Sequence, residues 1–317
     1  MNYLILIALV ILMAHSSYGQ HENNFIDSLG QTVGGTKEEL IKIKENYYLI
    51  QPTGIVGNIA VYTGSTGVVM VDAQWAKLAP RIKELISTVT DKPVRSLVNT
   101  HFHFDHVDGN KAFGRENVTI IAHTNLRERL LKDRVISGSA FGAIIQKAYP
   151  TEGLPTITFN DTMTLYDGNE TIRLIHFPNA HTDGDAIVHF KTANIYHTGD
   201  IFVTYGLPVI DEANGGDIYA MIQTIEYLLS VSNSDTRFIP GHGPVCSVKE
   251  LSEYRMLLTS IKDQVVAGAK KGLSLEKITE AVTVNKNVGG IDRNMFIGHV
   301  YRMVLKHEKM NNKKKSR

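Results

Sequence analysis

The chain has 317 residues, of which 43% are hydrophobic and 21% charged, a composition that supports a sizeable buried core. Its 33 Lys and Arg against 32 Asp and Glu leave a formal net charge of +1. That balance supplies no electrostatic footprint for nucleic acid or for an acidic membrane surface.

The first element is an unbroken apolar run, Leu4 to Ala14. It is shorter than the ~20 residues a membrane-spanning helix needs. Small residues follow at Ser17 and Gly19, so residues 1–19 read as a signal peptide cleaved after Gly19. Met1-Asn2-Tyr3 carries no Lys or Arg, which keeps an uncleaved N-terminal anchor as the alternative. The expected location is periplasmic or secreted, with no stable membrane insertion after cleavage. Residues 20–40 are polar and read as a loose arm. Cys246 is the single cysteine, so no internal disulfide can form; it reads as a small buried hydrophobe.

From Ile41 the pattern becomes strand-like. Residues 41–50 alternate and read as one strand; 58–64 and 68–73 follow at hairpin spacing, with Gly64 and Gly67 at the turn. Residues 75–89 show helical periodicity, with Leu78, Ile82, Leu85, Ile86 and Val89 on one face. A short buried strand is expected at 94–99, a loop at 100–109, a strand at 118–122 and a helix at 125–135. Residues 134–155 read as either a lid or a helix packed on the core, with Phe141, Ile144, Ile145 and Tyr149 as its apolar face. Strands are expected at 162–166, 171–177, 186–190, 195–198 and 236–239, and helices at 217–230, 247–270, 274–282 and 291–307. Residues 309–317 read as a solvated basic tail. Strands and helices interleave in two similar halves. The reading is a single α/β domain over 41–308, two mixed β-sheets flanked by helices in an αββα sandwich.

The chemistry concentrates in one run, Thr100-His101-Phe102-His103-Phe104-Asp105-His106. Imidazole and carboxylate suit zinc and similar borderline ions. In an extended segment His101 and His103 point the same way and can grip one ion, while Phe102 and Phe104 face the core. A turn at Asp105-His106 would carry those two toward a second ion. Further candidate ligands stand in Gly-containing turns after strands: His181 in Asn179-Ala180-His181-Thr182-Asp183-Gly184, Asp200 in Gly199-Asp200, and His242 in Gly241-His242-Gly243-Pro244. The stretch Gly109 to Gly114 lacks the Lys-Ser/Thr of a phosphate-binding loop and reads as the start of a short helix behind the run. His123, His176, His189 and His197 lie in or beside strands and read as packed histidines.

The combination of H-x-H-x-D-H, a downstream His, a Gly-Asp and a final Gly-His resembles the metallo-β-lactamase superfamily, from Lys42 to Met256. The resemblance implies a first metal set of His101, His103 and His181, a second of Asp105, His106 and His242, and Asp200 bridging both. It implies two Zn²⁺, with iron or manganese as alternatives, and a hydroxide nucleophile that Asp105 helps to orient. Asp72 matches an acidic residue beside the metal loop that is not a ligand. The expected function is an exported dinuclear hydrolase of a small-molecule lactam, lactone, ester or thioester, with β-lactamase activity as one candidate. The best-known antibiotic-degrading subclass differs: it has Cys where this chain has Asp200, lacks a His at the His106 position, and often has a Lys where this chain has Val203. A mononuclear iron persulfide dioxygenase of the same superfamily is the alternative.

Overall fold

Alternation over residues 41–50 does not survive as one strand. Asn46 adopts φ 67°, a left-handed conformation that asparagine tolerates. The chain reverses there, giving a hairpin of β1 (Glu38–Lys44) and β2 (Tyr47–Pro52). β3 (Ile59–Thr63) and β4 (Val68–Val71) form the next hairpin, closed by Gly64 N–H donating to Gly67 O. The computed structural model describes residues 37–53, 56–139, 142–284 and 289–315. The expected signal peptide and most of the arm fall outside the described residues, as does Phe141. Residues 38–40, expected in the arm, belong to β1.

Two mixed sheets carry the fold, as expected for an αββα sandwich. The first has seven strands in the order β1-β2-β3-β4-β5-β6-β9, with β5 (Val94–Val98), β6 (Thr119–His123) and β9 (Ile157–Phe159). Pairing is antiparallel from β1 to β4 and parallel from β4 to β9. The second has five strands in the order β10-β11-β12-β13-β14: Thr162–Asp167, Glu170–His176, Ala186–Phe190, Ile195–His197 and Arg237–Ile239. Inner faces meet in one apolar layer, where Leu49, Val71, Val98 and Ile121 pack with Leu174, Val188, Ile195 and Ile239. Removing these side chains from water is the main favourable term for the sandwich.

The periodic stretch at 75–89 begins with a short 3-10 turn and becomes α1 (Ala79–Ser87), which buries Ile82, Leu85 and Ile86. On the other face, α5 (Ile218–Ser230), α6 (Val248–Lys270) and α8 (Arg293–Lys315) cover the second sheet. Their Ile225, Leu258 and Val300 join Ile187, Tyr196 and Phe238 in a second core. A capping box of Ser247 and Glu250 starts α6. α7 (Leu275–Ala281) lies between α6 and α8 in sequence. Residues 309–315, read as tail, continue α8 to Lys315. Among the described residues no helix is long and apolar enough to cross a membrane.

Two local expectations are corrected. The helix expected at 125–135 is α4 (Thr124–Leu130) and stops at Leu130, once its two apolar side chains, Leu126 and Leu130, are buried. Of the two readings of 134–155 the helix is overturned: its first part forms the strands β7 (Arg134–Ser139) and β8 (Gly142–Gln146), which pair Ile136 with Ile144.

Candidate metal centre

The run after β5 leaves the sheet as extended chain, then forms a single helical turn, α2 (Phe104–Val107). α3 (Asn110–Arg115) follows, at the position expected for a short helix behind the run. His101 and His103 precede α2; Asp105 and His106 lie on it. Phe102 is buried, as expected. Phe104 is only half-buried, with its ring 5.2 Å from that of Trp75, because it opens the helix instead of continuing the extended segment. His181 follows β11, Asp200 sits in a 3-10 turn after β13, and His242 follows β14. All seven converge at the ends of the central strands. The ligand atoms of His101, His103 and His181 lie within 4.8 Å of one another, as do those of Asp105, His106 and His242. Asp200 groups with His101 and His106.

The hydrogen bonds assign a free nitrogen to the rings of His101, His103, His106 and His181. His103 Nε2 lies 3.0 Å from Asp211 Oδ2, and His181 Nδ1 lies 2.8 Å from Val209 O. Each nitrogen that faces such an acceptor carries the proton, which leaves a lone pair on His103 Nδ1 and His181 Nε2. Those two atoms face each other at 3.0 Å. His106 donates from Nδ1 to Asp72 Oδ2 at 2.9 Å, and its Nε2 faces His242 Nε2 at 3.3 Å. His101 Nδ1 lies 3.0 Å from Thr100 Oγ1, while its buried Nε2 has no hydrogen-bond partner among the described residues. Lone pairs facing one another in a dry site repel unless a cation stands between them, so these residues fit metal ions.

The electrostatics point the same way. Burial would raise the Asp200 carboxyl, but His242 and His106 hold it well below the carboxylate range. Asp105 is also held below its ordinary value, by His106 and His242 against burial. Burial lowers His242, yet Asp200 and Asp105 carry it up to about 9. Burial and the neighbouring His103 push His181 down to about 4. Ionised carboxylates therefore draw positive charge to the second set, while burial keeps His101 and His181 of the first set neutral. Asp200 Oδ1 lies 3.2 Å from His106 Nε2, and Oδ2 lies 3.8 Å from His181 Nε2, so one carboxylate faces both sets.

Close backbone packing makes room for this. A Cβ on Gly57 would enter the His106 ring, and one on Gly241 would strike Asp200 Oδ1. Asp72 is fully buried and is not grouped with the ligands, as expected.

Three residues here escape a reading of local sequence. Asp211 accepts from His103 across 108 positions. Asp185 accepts from the His181 and Thr182 backbone amides and the Thr182 hydroxyl, and so shapes the His181 turn, although burial pushes its carboxyl up to about 8. The Tyr205 ring is exposed and lies 5.5 Å from that of His242, at the rim of the centre. Only Asp185 had a local signal, three residues after Thr182 in a tight turn. Val203 is buried at 1% exposure among the second sheet's apolar side chains and does not line the centre. Cys246 is buried and outside the ligand groups.

The chain was compared with known proteins. Over 239 residues it is 24% identical to a linear primary-alkylsulfatase of Pseudomonas sp. (strain ATCC 19151), covering 64% of this chain and 45% of that one. Over 158 residues it is 28% identical to a probable metallo-hydrolase of Methanocaldococcus jannaschii, covering 49% and 72%. Among solved structures, an inverting sec-alkylsulfatase from Pseudomonas sp. matches with a TM-score of 0.65 at 16% identity, over 84% of this chain and 50% of that one. A metallo-β-lactamase from Pontibacter korlensis matches with a TM-score of 0.57 at 19% identity, over 70% and 99%. The chain spans about half the length of the alkylsulfatases it matches. The sequence profile of the metallo-β-lactamase superfamily matches residues 52–242, which hold all seven converging side chains, and the chain belongs to that superfamily.

Proposed function

We propose that this protein is an exported dinuclear zinc hydrolase. His101, His103 and His181 would hold the first ion, Asp105, His106 and His242 the second, and Asp200 both. The observation that carries the reading is Asp200, whose two oxygens face the two sets at 3.2 and 3.8 Å. Bound divalent ions supply a nucleophile from water at neutral pH and polarise the scissile bond. Asp105 Oδ2, 3.2 Å from His242 Nε2, is placed to orient the attacking oxygen. Tyr205, whose ring lies 5.5 Å from that of His242, would donate to charge that develops on the substrate. An iron persulfide dioxygenase would need only the first set; assembly of the second favours the hydrolase. Export rests on the apolar leader at residues 4–14.

The substrate is proposed as a small carbonyl compound: a lactone, ester, thioester or lactam. Dedicated β-lactam binding is disfavoured, because Val203 faces the core where the antibiotic-degrading subclass often has a lysine. A second substrate class is the alkyl sulfate ester. Alkylsulfatases resemble this chain in both sequence and structure, and the structural match covers more of this chain than the β-lactamase match does. The test is a hydrolysis panel of esters, thioesters, lactones, β-lactams and alkyl sulfates with zinc-loaded protein, using Asp200→Ala as the blank. Turnover above the blank in one class supports the reading. Rates equal to the blank across the panel contradict it.

A further inference from the structure

Among the described residues the hairpin β7–β8 stands outside both sheets and pairs only with itself. It nonetheless bonds to neighbours of the first metal set at two separated points, Asp211 and the Phe102 carbonyl. At its first strand, Ser137 donates from its backbone N–H and its hydroxyl to Asp211 Oδ1, at 3.0 and 2.9 Å. At its second strand, Gln146 donates from Nε2 to Phe102 O at 2.8 Å, gripping the peptide between His101 and His103.

Asp211 is the joint. Its Oδ2 accepts from His103 Nε2 at 3.0 Å and from Asn214 Nδ2 at 2.7 Å. The carboxylate thus has donors on both oxygens, and it is fully buried. The same Asn214 Nδ2 also donates to Val135 O of the hairpin at 2.7 Å, and its Oδ1 accepts from Arg129 of α4 at 3.0 Å. That last contact settles which way the amide faces. The Ser137 hydroxyl in turn accepts from Ala213 N–H at 3.0 Å. No atom of this joint has freedom to turn without breaking a buried hydrogen bond.

We propose that Asp211 is the positioning residue of the first metal set, and that the hairpin β7–β8 acts on that set through Ser137. The carboxylate fixes the His103 tautomer with its proton on Nε2 and turns Nδ1 toward His181. Partners of this kind typically change metal affinity 10–100-fold when removed. The hairpin's contribution is to hold the carboxylate plane. The proposal rests on the metal reading above, but only on the first set.

The experiment is a competition titration of metal-free protein with Zn²⁺, together with the absorption spectrum of the Co²⁺-substituted form. Asp211→Asn keeps the shape but removes the charge. The expected result is a 10–100-fold weaker affinity at the set that includes His103, with a changed Co²⁺ band, and unchanged affinity at the set that includes His242. Ser137→Ala is expected to weaken the same set by less, and Ser137→Thr, which keeps the hydroxyl, to restore it. Unchanged first-set affinity in Asp211→Asn overturns the positioning role. Unchanged affinity in Ser137→Ala beside a loss in Asp211→Asn overturns the hairpin's part. If Asp211→Asn does not fold, judged by circular dichroism, the Ser137 pair decides the matter alone. A parent protein that binds a single ion at His101, His103 and His181 contradicts the dinuclear reading while leaving this proposal standing.

Discussion

Asp72 reaches both candidate metal sets through one carboxylate: its Oδ2 accepts from His106 Nδ1 at 2.9 Å. The same oxygen accepts from the Thr100 hydroxyl at 2.7 Å, and that hydroxyl accepts in turn from His101 Nδ1 at 3.0 Å. Asp72 follows β4 at φ 64°, an unusual conformation held here by Thr100 N–H donating to Oδ1 at 2.8 Å. Asp72→Asn is expected to lower affinity for both metals roughly 10–100-fold. Metal competition titration checks this. Loss at one set with the other untouched would disprove the shared role.

Cys246 is expected to be dispensable for metal binding. It is buried, its thiol is pushed up to about 12 by burial, and it donates to Pro244 O at 3.3 Å. Cys246→Ala should keep full metal content and turnover, at a stability cost of about 1 kcal/mol. Elemental analysis and a thermal melt measure both. A missing metal equivalent would mean that the second set is wrongly assigned.

Val203→Lys separates core from anchor. With Val203 at 1% exposure, an ammonium there is buried without a carboxylate partner. The expected outcome is a lower melting temperature and poor recovery of folded protein, with no fall in KM for a carbapenem. A stable variant with a lowered KM would place this side chain at the metals after all.

The seven converging side chains were legible because their signals are local. His101, His103, Asp105 and His106 fall within six residues, and His181, Asp200 and His242 each stand in a Gly turn after a strand. The sandwich was legible for the same reason: β3, β4 and β12 are largely apolar runs between turn residues, and β11 alternates polar with apolar side chains. What escaped depends on distant partners. The β1–β2 reversal rests on one Asn conformation inside a continuous alternation, and Asn46 carries no Gly or Pro signal. Among the described residues β7 and β8 pair only with each other, and their apolar residues also fit a helix. Asp211 is one carboxylate in a long loop until His103 is brought against it.

Acid should destabilise the fold apart from any metal loss. Burial holds His123, His189 and His197 down to about 4, against about 6.5 in an unfolded chain. The unfolded state therefore binds more protons between those values, so stability is full above pH 6.5 and falls as the pH drops toward 4. For the fully buried His197 alone the loss approaches about 3 kcal/mol at the lower end. Thermal melts of chelator-treated protein at pH 7, 6, 5 and 4 should show a steadily falling midpoint. A midpoint that is constant across that range would refute the claim that these rings are buried neutral.

The central claim is that Asp200 joins two metal sites into one centre, and elemental analysis of zinc-equilibrated, dialysed protein tests it most directly when the parent and Asp200→Ala are compared. Two zinc ions per chain are expected in the parent. In Asp200→Ala the expected result is loss of at least one ion and of turnover, with the fold retained by circular dichroism. At most one ion in the parent, or two ions with near-normal turnover in Asp200→Ala, would contradict it.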